Sequence, residues 1–173
     1  ACMTEGLAPF VFTLKGDSDL NVYHPPLKSA AEKHVVMEYS VRRGITSHPL
    51  AEIPAEAEIS NISAIGDKAL IKAVIGFVKD QPHLIAYSGV AIESKDLYWL
   101  DVHHSDASKG GAIQTLKQLV GAERVVCFGD SDNDASMFSA ADECYAPENA
   151  KPSIKSLATA VIGHHDQDGI ARF

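Results

Sequence analysis

Between Val125 and Asp134 the chain reads Val-Val-Cys-Phe-Gly-Asp-Ser-Asp-Asn-Asp, an unbroken apolar tetrad that empties into three carboxylates and an amide. The tetrad predicts a strand buried on both faces. Gly129 allows a sharp turn after it, and Asp134 is placed to cap the helix that follows. Each close carboxylate pair repels by about 1 kcal/mol in water and about 4 kcal/mol at an effective dielectric of about 20, so such a cluster persists beside a cation or in full solvent. Open α/β sheets bind ligands at the carboxyl ends of their strands, and oxygen-only donors there favour Mg2+ or Ca2+. A calcium loop of the EF-hand type is excluded. Asp130, Asp132 and Asp134 suit its first three acidic positions, but Ala135 stands where the turn needs glycine and Ala141 where a bidentate glutamate closes the shell.

Upstream, Ser108-Lys109-Gly110-Gly111-Ala112 opens a segment with Ile113, Leu116, Leu119 and Val120 at helical spacing, which puts Lys109 in a first helical turn. The macrodipole disfavours a lysine there but welcomes an anion, and a phosphate would reconcile the two. One helix and one strand separate Lys109 from Asp130, the length of a single α-β unit.

These two segments resemble the haloacid dehalogenase (HAD) superfamily, specifically its Cof-type phosphatases with a mixed α/β cap. Ser108-Lys109-Gly110 matches the family's lysine motif, and Gly129, Asp130, Asn133 and Asp134 match its Gly-Asp-x-x-Asn-Asp motif. Asn149-Ala150 with Lys155, and Asp168-Gly169-Ile170, match two further landmarks in the right order. The resemblance covers roughly residues 97 to 173. It implies an α/β fold: part of a HAD-like Rossmannoid parallel sheet over residues 96–173, behind an α+β cap over residues 1–95. It also implies a Mg2+-dependent phosphomonoesterase working through an aspartyl-phosphate on a small phosphorylated substrate such as a sugar phosphate. Carried over by position, Asp130 binds Mg2+, Asp134 is a further ligand or an orienting group, and Lys109 and Asn133 hold the phosphoryl group. Asp132 falls at a variable position and receives no role.

Two motifs of the family are missing. No Asp-x-Asp-Gly follows a buried strand near the start, and no Ser or Thr closes another buried strand ahead of Gly-Arg; Thr46 follows Gly44-Ile45, which is not such a strand. Asp17-Ser18-Asp19 reads as a hairpin turn between strands Pro9 to Leu14 and Leu20 to Tyr23. The nucleophile is thus unassigned. The expectation is a chain that begins inside or just before the cap and is inactive alone, with a bare apolar edge at Val125 to Phe128 that favours dimerisation, element swapping or a retained N-terminal piece. A noncatalytic cation or phosphate-binding module and a same-family sugar phosphomutase are the alternatives.

A length of 173 residues with 46% hydrophobic content supports a substantial core in one domain or two small ones. The formal charge of −8, without a dense basic stretch, argues against nucleic acid and anionic membranes as partners. Cys2, Cys127 and Cys144 lack metal spacing, and no apolar stretch is long enough for a membrane span. A cytoplasmic protein with reduced, buried thiols is expected.

Within the first part the pattern predicts a helix from Pro26 to Arg43, a loop around Pro49 and Pro54, a strand near Ile59 to Ile65, and a strand at His83 to Tyr87. A helix from Asp67 to Lys79 carries Leu70, Ala73, Val74 and Phe77 inward. This order suits an antiparallel sheet covered by helices on one face. The second part alternates strand Leu97 to Val102, helix Gly110 to Val120, strand Val125 to Phe128, helix Asp134 to Ala140, strand Glu143 to Ala146, helix Pro152 to Leu157 and strand Ala160 to Ile162, the rhythm of a parallel sheet to which the last three strands belong. His48, in a loop, and His103-His104 and His164-His165-Asp166 read as surface polar groups; adjacent residues of a strand face opposite ways, so neither pair is a natural chelate, although the second pair is placed to line the rim of the site. Trp99 is expected to pack where the two parts meet.

Overall fold

Turn chemistry closes the first hairpin. In the computed structural model, which describes residues 1–16, 19–92 and 94–173, β1 (Phe10–Lys15) and β2 (Asp19–His24) pair antiparallel from Val11↔Tyr23 to Lys15↔Asp19. Gly16 holds φ at 62°, a left-handed conformation that glycine adopts without steric cost. Asp17 and Ser18, expected at the tip of this turn, lie outside the described residues.

The first helix is α1 (Ala30–Arg43), later in starting than Pro26 because Ser29 caps it. Its Oγ accepts the Glu32 N–H at 3.1 Å while Glu32 Oε2 accepts the Ser29 N–H at 2.9 Å, a reciprocal box that satisfies two orphan donors. Gly44, at φ 64°, ends the helix. Where a proline loop was expected, β3 (Thr46–Pro49) runs parallel to β2 at the sheet edge, the position that tolerates a proline.

The chain continues through β4 (Glu58–Asp67), α2 (Lys68–Lys79), β5 (Leu84–Val90) and β6 (Leu97–His104). The described strands form a six-stranded sheet in the order β3-β2-β1-β4-β6-β5. Contrary to the expectation of helices on one face only, α1 and α2 cover opposite faces. Val35, Val36 and Tyr39 of α1 pack on Phe10, Phe12 and Ile65, whereas Ile71, Val74 and Val78 of α2 pack with Ala64, Leu100 and Val102. Ala64 and Ile65 are successive residues of β4, so their side chains must point to opposite sides. On α2 the predicted inward residues split: Val74 is buried and Leu70 packs against the core, but Ala73 and Phe77 are exposed and Ile71 and Val78 are buried instead. Trp99 lies over Gly89 on the neighbouring strand, where a Cβ would come within 2.8 Å of the indole nitrogen.

Contacts divide the chain into Ala1–Ser105 and Asp106–Phe173, later than the expected break at 95/96. The reason is β6. It pairs with β4 and β5 along its whole length and so belongs to the first unit.

The second unit contains α3 (Lys109–Val120), β7 (Val126–Phe128), α4 (Ala135–Ala140), β8 (Glu143–Pro147), α5 (Pro152–Lys155) and β9 (Ala160–Ile162). Its three strands run parallel in the order β7-β8-β9, as the alternating pattern predicted. Cys127 and Cys144 face each other across β7 and β8 in a core with Phe138, Ala146, Ala150 and Ile154. Burial, reinforced by the Cys144 neighbour, pushes the Cys127 thiol up to about 12, which keeps it protonated and unreactive. Among the described residues no helix is long and apolar enough to cross a membrane.

Several apolar side chains of this unit stay in solvent. Leu116, Leu119 and Val120 on α3 are 57%, 78% and 65% exposed, and Val126 on edge strand β7 is 43% exposed. Such surfaces drive association. Sedimentation velocity is expected to show concentration-dependent self-association of the 173-residue chain, reduced by combining Leu119→Lys with Val126→Lys. A single monomeric species at every concentration would contradict this.

Candidate active site

The acidic loop is built around one glycine. The Gly129 N–H extends the sheet by donating to the Tyr145 carbonyl at 3.2 Å. A Cβ at Gly129 would sit 2.6 Å from Asp134 Cβ and 2.8 Å from the Phe138 ring, so only glycine lets the loop close over its own acid. After Ser131 the chain makes a single tight turn, Asp132–Asp134, and enters α4.

Asp134 does not cap α4 with its side chain as predicted. The carboxylate reaches backward instead. Its Oδ2 accepts the Asp130 N–H at 2.8 Å and the Ser131 N–H at 3.0 Å, and its Oδ1 accepts a hydrogen bond from the Lys109 ammonium. The residue is only 3% exposed. Burial pushes its pKa up, but the Lys109 hydrogen bond, the two backbone N–H groups and the lysine charge together hold it below the ordinary carboxylate range. Asp134 is therefore a buried anion at neutral pH.

Lys109 is aimed from the other side. It is the first residue of α3, whose cap Ser108 accepts the Gly111 N–H at 3.1 Å. The Gly110 N–H donates to Ser136 Oγ at 3.2 Å, and a Cβ on Gly110 would fall 2.4 Å from the Ser136 carbonyl oxygen, so the start of α3 lies directly on α4. The lysine side chain is 50% exposed, which leaves ammonium donors open to solvent beside the one given to Asp134.

Asp130 is exposed, and among the described residues its carboxylate has no hydrogen-bond partner. Its backbone is fixed: the carbonyl accepts the Lys151 N–H at 2.9 Å. Asn133 Oδ1 is buried and likewise unpartnered. Asp132 accepts from the Lys151 ammonium at 2.6 Å and from Ser153 Oγ at 3.1 Å, and the Lys151 hydrogen bond lowers its pKa. It ties the loop to α5.

All four residues selected from sequence, Lys109, Asp130, Asn133 and Asp134, thus lie in one unit, with Lys109 and Asp130 both bonded to the Asp134 carboxylate. Sequence reasoning missed Ser131, whose contribution is a backbone N–H, and Lys151, one residue before a proline-started helix and without a motif of its own. It also missed that His164, His165 and Asp166 bring their ligating atoms within 4.8 Å of one another. Strand alternation does not govern them, because they follow β9 and enter a tight turn.

A family profile described as haloacid dehalogenase-like hydrolase matches residues 8–173. The chain belongs to the haloacid dehalogenase-like hydrolases. Within this HAD-like group, a phosphoglycolate phosphatase of Sulfurisphaera tokodaii is 36% identical over 127 residues, 65% of this chain and 54% of that protein. A HAD-like hydrolase structure from B. subtilis superposes with a TM-score of 0.72 at 22% identity, covering 99% of this chain and 65% of that one. The structure of a HAD subclass IIB sugar phosphatase, BT4131, gives 0.66 at 19% identity, over 99% of this chain and 60% of that one. Identities this low show the likeness of fold alone. The chain spans about half the length of the curated relatives it matches most strongly.

Three predictions test the HAD-like site. Because the pKa of Asp134 is lower folded than unfolded, its contribution to stability is present above the unfolded value of about 4 and is lost as pH falls through the folded value. Urea unfolding across the acid range is expected to show that slope, flattened in Asp134→Asn. Lys109→Met leaves the buried anion with its two N–H donors alone and is expected to cost about 1–3 kcal/mol near neutral pH. Gly110→Ala forces its methyl into the Ser136 carbonyl and is expected to cost about 1–3 kcal/mol, read from the denaturation midpoint.

Proposed function

We propose that the complete protein is a Mg2+-dependent phosphomonoesterase acting on a small phosphorylated metabolite, such as a sugar phosphate, through an aspartyl-phosphate. The observation that carries this reading is the buried Asp134 carboxylate, which holds the Lys109 ammonium with one oxygen and the backbone of Asp130 with the other. Membership of the HAD-like hydrolases supports it, as do the phosphoglycolate and sugar phosphatases among its relatives.

The donor set fits a hard dication. Asp130 offers an exposed carboxylate that no described residue bonds, and the orphaned Asn133 Oδ1 adds a neutral oxygen from the same loop. When bound, Mg2+ supplies Lewis-acid neutralisation of phosphoryl charge. The remaining work falls to the chain. Asp130 would hold the ion and Lys109 would place its free N–H donors on the phosphoryl oxygens. Asn133 would orient the phosphoryl group or the ion. Asp134, with both oxygens engaged and its surface buried, suits positioning Lys109 and the Asp130 loop better than direct coordination. The attacking carboxylate is none of these four.

The test is hydrolysis of an aryl phosphate by the complete gene product. Turnover is expected to require Mg2+, to stop on chelation, and to fall about 100-fold or more in kcat/KM in Asp130→Ala and in Lys109→Ala. Mg2+ and phosphate binding without turnover would instead favour a noncatalytic module. Phosphoryl transfer between sugar hydroxyls without phosphate release would favour a mutase.

A further inference from the structure

Beyond β9 the chain folds back on itself in a turn whose shape is set by two glycines. A Cβ on Gly169 would fall 1.9 Å from the Gly163 carbonyl oxygen, so the neck of the turn closes only with glycine there. Within it the His164 carbonyl accepts the Gln167 N–H at 3.0 Å and the Gly169 N–H at 3.1 Å, and Asp168 takes the left-handed conformation at φ 56°. The His165 N–H donates to Asn149 Oδ1 at 3.2 Å, fastening the turn to the loop before α5. Neither histidine is left on a floppy end.

This backbone aligns two side chains that a strand would separate. His164 is extended, at φ −59° and ψ 144°, and His165 enters the tight turn, so the rings stack with centroids 4.7 Å apart and planes inclined by 27°. Both face one carboxylate: His165 Nδ1 lies 2.8 Å from Asp166 Oδ1, and His164 Nδ1 lies 3.7 Å from Asp166 Oδ2. A metal with bonds of about 2.1 Å needs donor atoms about 3.0–3.4 Å apart, which small side-chain rotations supply from the 4.8 Å limit seen here. His164 Nδ1 also accepts the Asp166 N–H at 3.2 Å, a long hydrogen bond that a metal bond can replace.

We propose that His164, His165 and Asp166 form a metal site for a borderline transition-metal dication, with Zn2+ as the physiological class of ligand. Two imidazoles and one carboxylate are the donors that Zn2+ takes at open sites, and imidazole discriminates strongly against Mg2+. The site is chemically distinct from the oxygen-only loop at Asp130. Side-chain exposures of 33%, 53% and 71% for His164, His165 and Asp166 leave a path for the ion and room for water on its open side.

The metal-stripped 173-residue chain is titrated with Zn2+ by calorimetry in the presence of excess Mg2+. One equivalent is expected to bind. His165→Asn and Asp166→Asn should each weaken it about tenfold or more, and the triple variant His164→Asn/His165→Asn/Asp166→Asn should abolish it. The buried cysteines remain in every variant, so equal Zn2+ binding by the triple variant and the unmodified chain overturns the proposal. Nitrogen NMR of the imidazole rings in the unmodified chain gives a readout independent of variant folding. Zn2+-dependent shifts at both His164 and His165 support the site, and unchanged resonances overturn it.

Discussion

A single buried carboxylate organises the acidic loop. Asp134 lies almost wholly out of water, where an unpaired charge would cost several kcal/mol, and every hydrogen bond that compensates it comes from a residue with a second task. Lys109 brings the start of α3, and the Asp130 and Ser131 N–H groups bring the backbone that carries the exposed acid. The same bonds that keep the anion ionised therefore fix the spacing between an ammonium group and a free carboxylate. Asp132 and Lys151 extend the arrangement outward by anchoring the loop to α5.

The first unit solves a different problem. Its six strands carry apolar residues on both sides of the sheet, and each side requires a cover. α1 supplies one, started by the Ser29–Glu32 box and stopped at Gly44; α2 supplies the other, through Ile71, Val74 and Val78. Burial on both sides explains why β6, bordered by β4 and β5, stays with this unit instead of joining the parallel strands that follow it in sequence.

Features that depend on local chemistry were legible in the sequence. The Gly129 turn, the helix opening at Lys109, the hairpin around Gly16 and the three parallel strands follow from residue types at short range. The rest depended on distant partners. The allegiance of Leu97–His104 was decided by strands on both flanks. Leu70 and Val74 of α2 pack as predicted, but Ile71 and Val78 take the places of Ala73 and Phe77, which satisfy helical spacing equally well; the sheet decides between them. The apolar spacing that marked α3 as a helix leaves Leu116, Leu119 and Val120 exposed. Periodicity marks an apolar face but not what covers it. The histidine turn escaped for a related reason: two neighbouring rings share a side only because the chain leaves extended geometry between them.

The two glycines that follow Lys109 carry a geometric consequence. Gly110 rests against the Ser136 backbone and Gly111 against the Asp106 carbonyl, 2.4 Å from where a methyl carbon would stand in each case. Both contacts clamp the helix rotationally. A slip of one residue at this end would swing the side chain at the first position through about 100° around the axis and carry its amine away from the carboxylate. The direction in which the lysine points is set by two methyl groups that the chain does not have.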